Sequence, residues 1–190
     1  LGAPGEKVGP GVLSALEVPV STKGEDPYLI DGNLQGRRLA LAKWIANPKN
    51  PLTARSIVNR VWQHHFAAGL CSTPNDFGRM GSPPSHPDLL DWLAVWFRDD
   101  AGGSLKQLHR LILTSHAWKR GSHVPINGHT AALALDAENT FLWRMSRTRL
   151  DAESFRDSVL QISNQLDSTM GGPGVEHFVT HKGNQFTPRL

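Results

Sequence analysis

Four helix starts, each followed by an apolar stripe at helical spacing, constrain the fold of this 190-residue chain more than any other feature. Asn50 followed by Pro51 is typical of a helix N-cap and first helical position. Ser85 and Ser104 each open a capping-box pattern, and Asp151 is a further N-cap candidate. Apolar residues then recur every three or four positions. The sequence therefore predicts an all-α fold of about five or six helices packed as one irregular bundle, with a Gly/Pro-rich N-terminal arm and long loops.

Glycines and the apolar period set the predicted helix bounds. The first helix is expected over about 37–46, and Gly69 and the Gly102–Gly103 pair are expected to end the second and third. The fourth is predicted to end near Ser115, and residues 131–135 are weakly helical. A further short helix is suggested by Phe141, Leu142 and Met145. The last helix is predicted to run from Asp151 to about Leu166 and to bury Phe155, Val159, Ile162 and Leu166.

Composition shifts divide the chain into three parts. Residues 1–36 are interpreted as an N-terminal arm or linker with at most one short strand, and residues 37–170 as the helical domain. Residues 171–190 form a Gly/Pro turn and a tail without a clear helical period, which is either disordered or one edge of something larger. The connection at 69–84 is long for a compact domain, and loops of that length are more often functional than shorter ones.

Composition excludes several classes of protein. A single cysteine, Cys71, rules out an intrachain disulfide, a CxxC zinc or redox pair and a CxxCH haem site. The net charge of +3 comes without a basic arm or recognition motif, so no nucleic-acid partner is predicted. No apolar run is long enough for a membrane span, and no segment of these 190 residues has the pattern of a signal peptide. The missing initiator Met indicates a fragment. The sequence of a fragment does not show in which cellular compartment the protein is found.

The most distinctive polar cluster lies on the second helix. Spacing of four residues places Asn59 beside Gln63 and Arg60 beside His64 on one helix surface. Planar hydrogen-bonding groups of this kind suit a sugar, a carboxylate or a sulfate. The alternative is a polar network that locks the helix to the 69–84 loop, because buried polar side chains are normally satisfied by the protein itself.

The 69–84 loop adds two more candidates. Asn75 and Asp76 either present an amide and a carboxylate to a ligand or form Asx turns that fold the loop. The predicted ligand-binding residues are therefore Asn59, Arg60, Gln63, His64, Asn75 and Asp76. No catalytic residue is assigned, since neither a GxSxG motif nor an activated Cys–His pair is present.

No metal and no cofactor are predicted. His64 and His65 are adjacent on a helix and point about 100° apart, so they cannot share one ion with good geometry. HExxH, HxH and calcium-loop motifs are absent from the sequence. Arginines at 144, 147, 149 and 156 either bind an anion or pair with nearby acids. The six tryptophans are predicted to be core, with a carbohydrate-stacking role only for one that is exposed.

Several segments together resemble one known family. They include RRLALAKWI at 37–45, NPLTAR at 50–55, NRVWQHHF at 59–66, TPNDFG at 73–78, HPDLLDWL at 86–93 and MGGPG at 170–174. In this order they are similar to the planctomycete-specific domain one family, from about residue 37 to 174. The resemblance implies a large exported or periplasmic protein in which this domain follows another family-specific domain, sometimes with a c-type haem domain. The family has no established activity, and its pattern continues beyond this chain.

Three functions compete at this point. The first is a non-catalytic helical interaction or scaffold module whose partners are neighbouring domains of the same polypeptide. The alternative is a polysaccharide-active or anionic-glycan-binding domain, with a cleft lined by the 59–64 helix face and the 75–76 loop. A third, partner contact in electron transfer, follows only from the family's occasional haem domains. Caps and core stripes dominate the sequence, so the first function is favoured over catalysis.

Overall fold

The computed structural model describes residues 9–20, 26–30, 34–123, 126–171, 178–181 and 185–188. These contain six helices: α1 (Leu34–Ile45), α2 (Pro51–Phe66), α3 (Pro87–Asp99), α4 (Leu105–Thr114), α5 (Ile126–Leu135) and α6 (Ala152–Ile162). The predicted helical fold class is confirmed. The chain divides into two compact units, residues 1–148 and 149–190. The domain bounds expected from composition stay a prediction.

The core of the first unit forms where α2 packs against α3 and α4. Its buried apolar side chains follow the helical spacing of the sequence on all three helices: Val58, Trp62, Phe66, Leu90, Leu93, Phe97, Leu108 and Ile112. Leu70, from the loop after α2, is buried with them. Each large apolar side chain removed from water contributes about 1.5–3 kcal/mol before the entropy of ordering it is subtracted. Ile57, next to Val58 on α2, lies at the surface and is not part of this core.

Two of the three caps predicted for the first unit are confirmed. The Asn50 side chain accepts a hydrogen bond from the Leu52 amide at 3.0 Å, and its own amide donates to the Trp44 carbonyl at the end of α1. Pro51 occupies the first turn of α2. The Ser104 hydroxyl accepts from the Gln107 amide at the start of α4. Asn50 is buried, so this one side chain closes the turn between α1 and α2.

The start of α3 differs from the prediction. The residue that caps this helix is His86, whose side chain makes no capping hydrogen bond. Ser85 does not form the expected capping box, because its amide and its hydroxyl both donate to the Leu70 carbonyl, at 2.7 and 3.2 Å. The serine therefore ties the end of the 69–84 loop to its beginning.

The end of α2 also differs. The helix stops at Phe66, and Ala67, rather than Gly69, adopts the left-handed cap conformation with φ 70°. Gly69 is required for another reason, since a Cβ there would lie 2.8 Å from the Asn59 amide group and 2.6 Å from the Cys71 carbonyl oxygen. The glycine lets the loop backbone approach α2 closely.

The short helix expected around Phe141 is absent from the described residues, where turns connect α5 to α6. The Asp136 carboxylate accepts hydrogen bonds from the Thr140 and Phe141 amides, both at 2.8 Å. Asn139 and Leu142 both have positive φ, which is incompatible with a continuing helix. Local side-chain bonds to the backbone have therefore replaced helical ones.

The second unit contains α6 and a short antiparallel hairpin of β1 (Phe178–His181) and β2 (Gln185–Pro188), in which Phe178 is opposite Pro188. Asp151 caps α6 as predicted, accepting from the Ser154 amide at 2.6 Å, and this bond lowers the pKa of the Asp151 carboxyl. The helix ends at Ile162 instead of near Leu166. The hairpin gives a local structure to part of the tail that showed no helical period.

The expected burial of the α6 stripe is wrong. Phe155, Val159 and Ile162 are 62%, 49% and 86% exposed, and only Leu166 is partly buried. Helical spacing identifies an apolar face, yet it does not supply the surface that covers it.

The N-terminal arm contains little regular structure in its described residues. In the arm, residues 9–20 and 26–30 are joined by an antiparallel bridge between Gly11 and Leu29, and Ser14–Leu16 form a 3-10 turn. The remaining residues of 1–33 lie outside the described part.

Among the described helices, none combines the length and the apolar character that a membrane crossing requires.

We expect Asn50→Ala to destabilise the chain by about 1–2 kcal/mol, since it removes the α2 cap and the bond to Trp44 together. Urea unfolding followed by tryptophan fluorescence measures the change. Lys49→Ala, at the exposed neighbouring position, is the matched control and should shift the midpoint little. Equal effects of the two substitutions would contradict the capping role.

Candidate functional site

Asn59 faces the interior of the first unit. Its side chain is fully buried; its amide nitrogen donates to the Cys71 carbonyl at 2.9 Å and its amide oxygen accepts from the Cys71 amide at 2.8 Å. One side chain thus satisfies both backbone groups of a buried loop residue. This geometry matches the network alternative, in which the helix is locked to the 69–84 loop.

Arg60 and Asn75 meet at the surface above that contact. The Arg60 guanidinium donates to the Asn75 side-chain oxygen at 2.7 Å, and both residues are exposed. Asp76 folds the loop: its carboxylate accepts from the Gly78 amide and its carbonyl accepts from the Thr73 hydroxyl. The bond between the Asp76 carboxylate and the Gly78 amide forms the Asx turn that the sequence offered as one alternative.

His64 is exposed on α2 and Gln63 is partly buried. The six predicted residues are therefore divided between the interior, the helix surface and a turn, and none of them lines the three clefts described for this structure. Arg60 and Asn75 are the pair that the structure brings into contact at the surface.

A first cleft, of about 370 Å³, lies between the 69–84 loop and the facing sides of α2 and α3. An ion pair crosses it, with the Arg55 guanidinium 2.6 Å from the Asp91 carboxylate. The buried Cys71 thiol donates to the Ser82 carbonyl at 3.2 Å and forms part of the wall. The ion pair joins α2 to α3, and the thiol bond joins Cys71 to Ser82 within the loop, so the polar groups of this cleft are already paired with one another.

A second cleft, of about 390 Å³, lies where α2 ends. Trp62 and Phe66 are among its lining residues, but both side chains are buried and stack on each other with ring centroids 4.4 Å apart. Its rim carries hydroxyl groups from the 69–84 loop and from the turns after α5, together with the Glu138 carboxylate. We call this the hydroxyl-rimmed cleft. A third and smaller one, of about 240 Å³, is mainly apolar and lies beside the turn between α1 and α2.

A histidine pair joins α2 to α4. His65 Nε2 and His109 Nδ1 are 2.8 Å apart, and the His65 ring also meets Trp118 edge to face. Burial lowers the pKa of His65 below its ordinary value of 6.5, and charge on His109 and His64 lowers it further. The sequence placed His65 on the core face of α2 and gave no signal for its partner on another helix.

The histidines do not gather a metal site in the part of the chain that the structure describes, where no three His, Cys, Asp or Glu side chains form a possible ligand set. Among the predicted anion-binding arginines, Arg144 lies 5.1 Å from the centre of the Trp143 ring and Arg156 pairs with Asp157. Trp92 is the tryptophan that departs most from the core prediction, at 53% exposed.

Of three comparisons with known proteins, the one with protein families gives a match. A family model described as PSD1, protein of unknown function (DUF1553), matches residues 37–188. No curated protein and no solved structure matches the chain. The matched range contains α2, α3, α4 and the residues that line all three clefts.

Asn59→Ala should destabilise the chain by roughly 2–4 kcal/mol, because it leaves the buried amide and carbonyl of Cys71 without partners. Asn75→Ala, which removes an exposed amide, should change the free energy of unfolding by less than about 0.5 kcal/mol. Denaturant unfolding of both variants is the measurement. A stable Asn59→Ala protein would show that the loop is held by something else.

The His65 pKa gives a direction for pH dependence. Since its folded-state pKa is lowered, the unfolded chain takes up the proton first as the pH falls. The contribution of His65 to the free energy of unfolding therefore falls as the pH drops through about 6.5 and stops falling below its folded-state pKa. His65→Gln should flatten this slope while His116→Gln, at an exposed position, leaves it unchanged; an NMR titration of His65 with a pKa at or above 6.5 would contradict the assignment.

Proposed function

The chain belongs to the PSD1 family of proteins of unknown function, and on that premise we propose that it is a non-catalytic helical module that packs against neighbouring domains of a larger exported protein. The exported, multidomain setting is an expectation from the family resemblance. The docking role is supported by exposed apolar side chains on the outer face of α3.

Trp92 is the observation on which the proposal depends. Its side chain is half exposed on α3 and stacks on Trp96, one turn further, with ring centroids 6.4 Å apart and ring planes 21° apart. Val95 is also exposed beside them. Trp is strongly enriched at the centres of protein interfaces because it buries a large rigid area at small entropic cost. We call Trp92, Val95 and Trp96 the tryptophan face.

The charges next to the tryptophan face indicate the kind of partner. Asp88, one turn before Trp92, is exposed in the first turn of α3, and Asp91 is shared with Arg55. Because Arg55 neutralises Asp91, the Asp88 carboxylate is the acidic group beside the apolar centre, and it fits a surface with an apolar hollow and a Lys or Arg at its border. We therefore propose a neighbouring domain of the same polypeptide with that chemistry as the occupant.

The non-catalytic part of the proposal is supported by what the polar side chains do. Asn50, Asn59, Asp76 and Asp151 all bind backbone groups and fix helix ends or loops. The alternative proposal, a polysaccharide or anionic glycan bound by the 59–64 face and the 75–76 loop, is supported by the exposed Arg60–Asn75 contact. It has weaker support, since Asn59 lies beneath that surface with both amide atoms bonded.

Cross-linking in the full-length polypeptide tests the docking role. A photoreactive benzoylphenylalanine in place of Trp92 should form cross-links to a peptide from another domain of the same polypeptide. The same residue in place of Gln107, exposed on α4, is the matched control and should not. Mass spectrometry of the cross-linked peptides gives the answer.

Three results would overturn the proposal in different ways. No cross-link from position 92 above the Gln107 control would remove the interface. Cross-links to other proteins alone would replace the neighbouring domain by an external partner. Retention of the polypeptide on a polysaccharide matrix that is lost in Trp92→Ser would show that the tryptophan face is a sugar-stacking platform instead.

A further inference from the structure

We infer that the hydroxyl-rimmed cleft at the end of α2 is a binding site for a neutral saccharide unit. This inference concerns a different surface from the tryptophan face and does not depend on the docking role. It also differs from the predicted glycan site in its position and in the charge of its ligand.

The cleft has the dimensions and the layered chemistry of a small-molecule site. Its volume of about 390 Å³ lies at the lower end of the roughly 300–1,000 Å³ usual for ligand pockets. Trp62 and Phe66 lie beneath the cleft, where the Phe66 ring meets the edge of Trp118, and their side chains are only 8% and 2% exposed. They therefore give the cleft a rigid apolar base and leave recognition of a ligand to the polar rim.

The rim offers groups that both donate and accept hydrogen bonds. Ser72, Thr140 and Ser146 contribute hydroxyls from two separate segments, whereas the Ser85 hydroxyl already donates to the Leu70 carbonyl. The Ser146 hydroxyl oxygen accepts from the Asn139 side-chain amide at 3.1 Å, so its own proton is a donor. A ligand with several hydroxyl groups matches this lining, because each of its hydroxyls also donates and accepts.

The charge of the lining decides which polar ligand fits. Glu138 is the one charged residue among those that line the cleft, and it is acidic. A carboxylate repels uronates, sulfates and phosphates, whereas it accepts hydrogen bonds from sugar hydroxyls. The lining therefore favours a neutral sugar over an anionic glycan, which the sequence offered only as an alternative ligand for the 59–64 face and the 75–76 loop.

The wall that carries Glu138 and Thr140 is held rigid before any ligand arrives. The Asp136 carboxylate binds two amides of this turn, and the Trp143 indole donates to the Asp136 carbonyl at 2.8 Å. The Asn139 side chain donates to the Arg144 carbonyl at 3.0 Å, while its backbone has φ 58°. Such bonding holds a non-glycine residue in the left-handed region, and preorganisation reduces the entropic cost of binding.

Titration of the chain with sugars tests the inference, with the Trp62 indole signal in NMR as the readout. The neutral probes are D-glucose, D-galactose, D-mannose, D-xylose and L-fucose with their methyl glycosides. D-glucuronate, glucose 6-sulfate and choline are the charged probes. We expect saturable binding of at least one neutral sugar in the millimolar range, and weaker or no binding of the charged probes.

Matched substitutions assign the binding to the cleft. Thr140→Trp fills its mouth and should weaken binding at least tenfold, whereas Thr130→Trp, exposed on α5, should leave it unchanged. Glu138→Gln keeps the shape and should weaken binding several-fold, whereas Glu153→Gln on α6 should not. Because Glu138 is exposed, Glu138→Gln should fold normally, and it therefore tests the cleft even if Thr140→Trp does not fold.

The inference is overturned by any of three outcomes. The first is that no neutral sugar in the panel binds saturably. The second is that Thr140→Trp and Glu138→Gln both bind the sugar as tightly as the unchanged chain does. The third is that a charged probe binds more tightly than every neutral sugar. Tighter binding of choline would assign the cleft and its Glu138 carboxylate to a cation instead.

Discussion

The double hydrogen bond between the Asn59 amide and the Cys71 backbone is the contact on which the surface of the first unit depends. It fixes the start of the 69–84 loop against α2 at a point where Gly69 leaves room for nothing larger than a hydrogen. The loop then supplies walls to two clefts, through Cys71 and Ser82 on one side and Ser72 and Ser85 on the other. A buried amide therefore shapes sites that it does not reach itself, because its two bonds decide where a long loop leaves the helix.

The structure decides between roles that the sequence left open for polar residues, and it differs from the prediction for one apolar residue. Asn59 and Asp76, which were candidates for either ligand binding or a structural role, both bind backbone groups. Trp92, which was predicted to be core, is half exposed. Each outcome has its own physical basis. Long loops contain many backbone groups that need partners, and short Asn and Asp side chains provide them. Apolar surface in excess of what three packed helices can cover remains outside, where a partner domain can bury it.

Prediction from the sequence succeeded where the interactions are local. The start of α2 at Asn50, the start of α4 at Ser104 and the start of α6 at Asp151 all follow from a side chain that binds an amide two or three residues later. It failed at Ser85 and Phe155, since the partner of Ser85 is the carbonyl of Leu70 and the covering of α6 depends on a surface that its own residues do not provide. The tryptophans and histidines show the same limit, because their spacing gives the face of a helix but not the neighbour.

The sequence by itself determined the helical class, three of the helix starts, most of the core stripes and the PSD1 family, whose motifs are contiguous segments in a fixed order. Tertiary structure alone decided which polar groups meet. His65 finds His109 on another helix, and Trp62, Ser72 and Thr140 come together in one cleft although they belong to three distant segments. The physical reason is that a cap or an amphipathic stripe is defined within a few turns of helix. A cleft is defined by where a loop such as 69–84 is anchored, and that anchor becomes visible only once α2, α3 and α4 have packed.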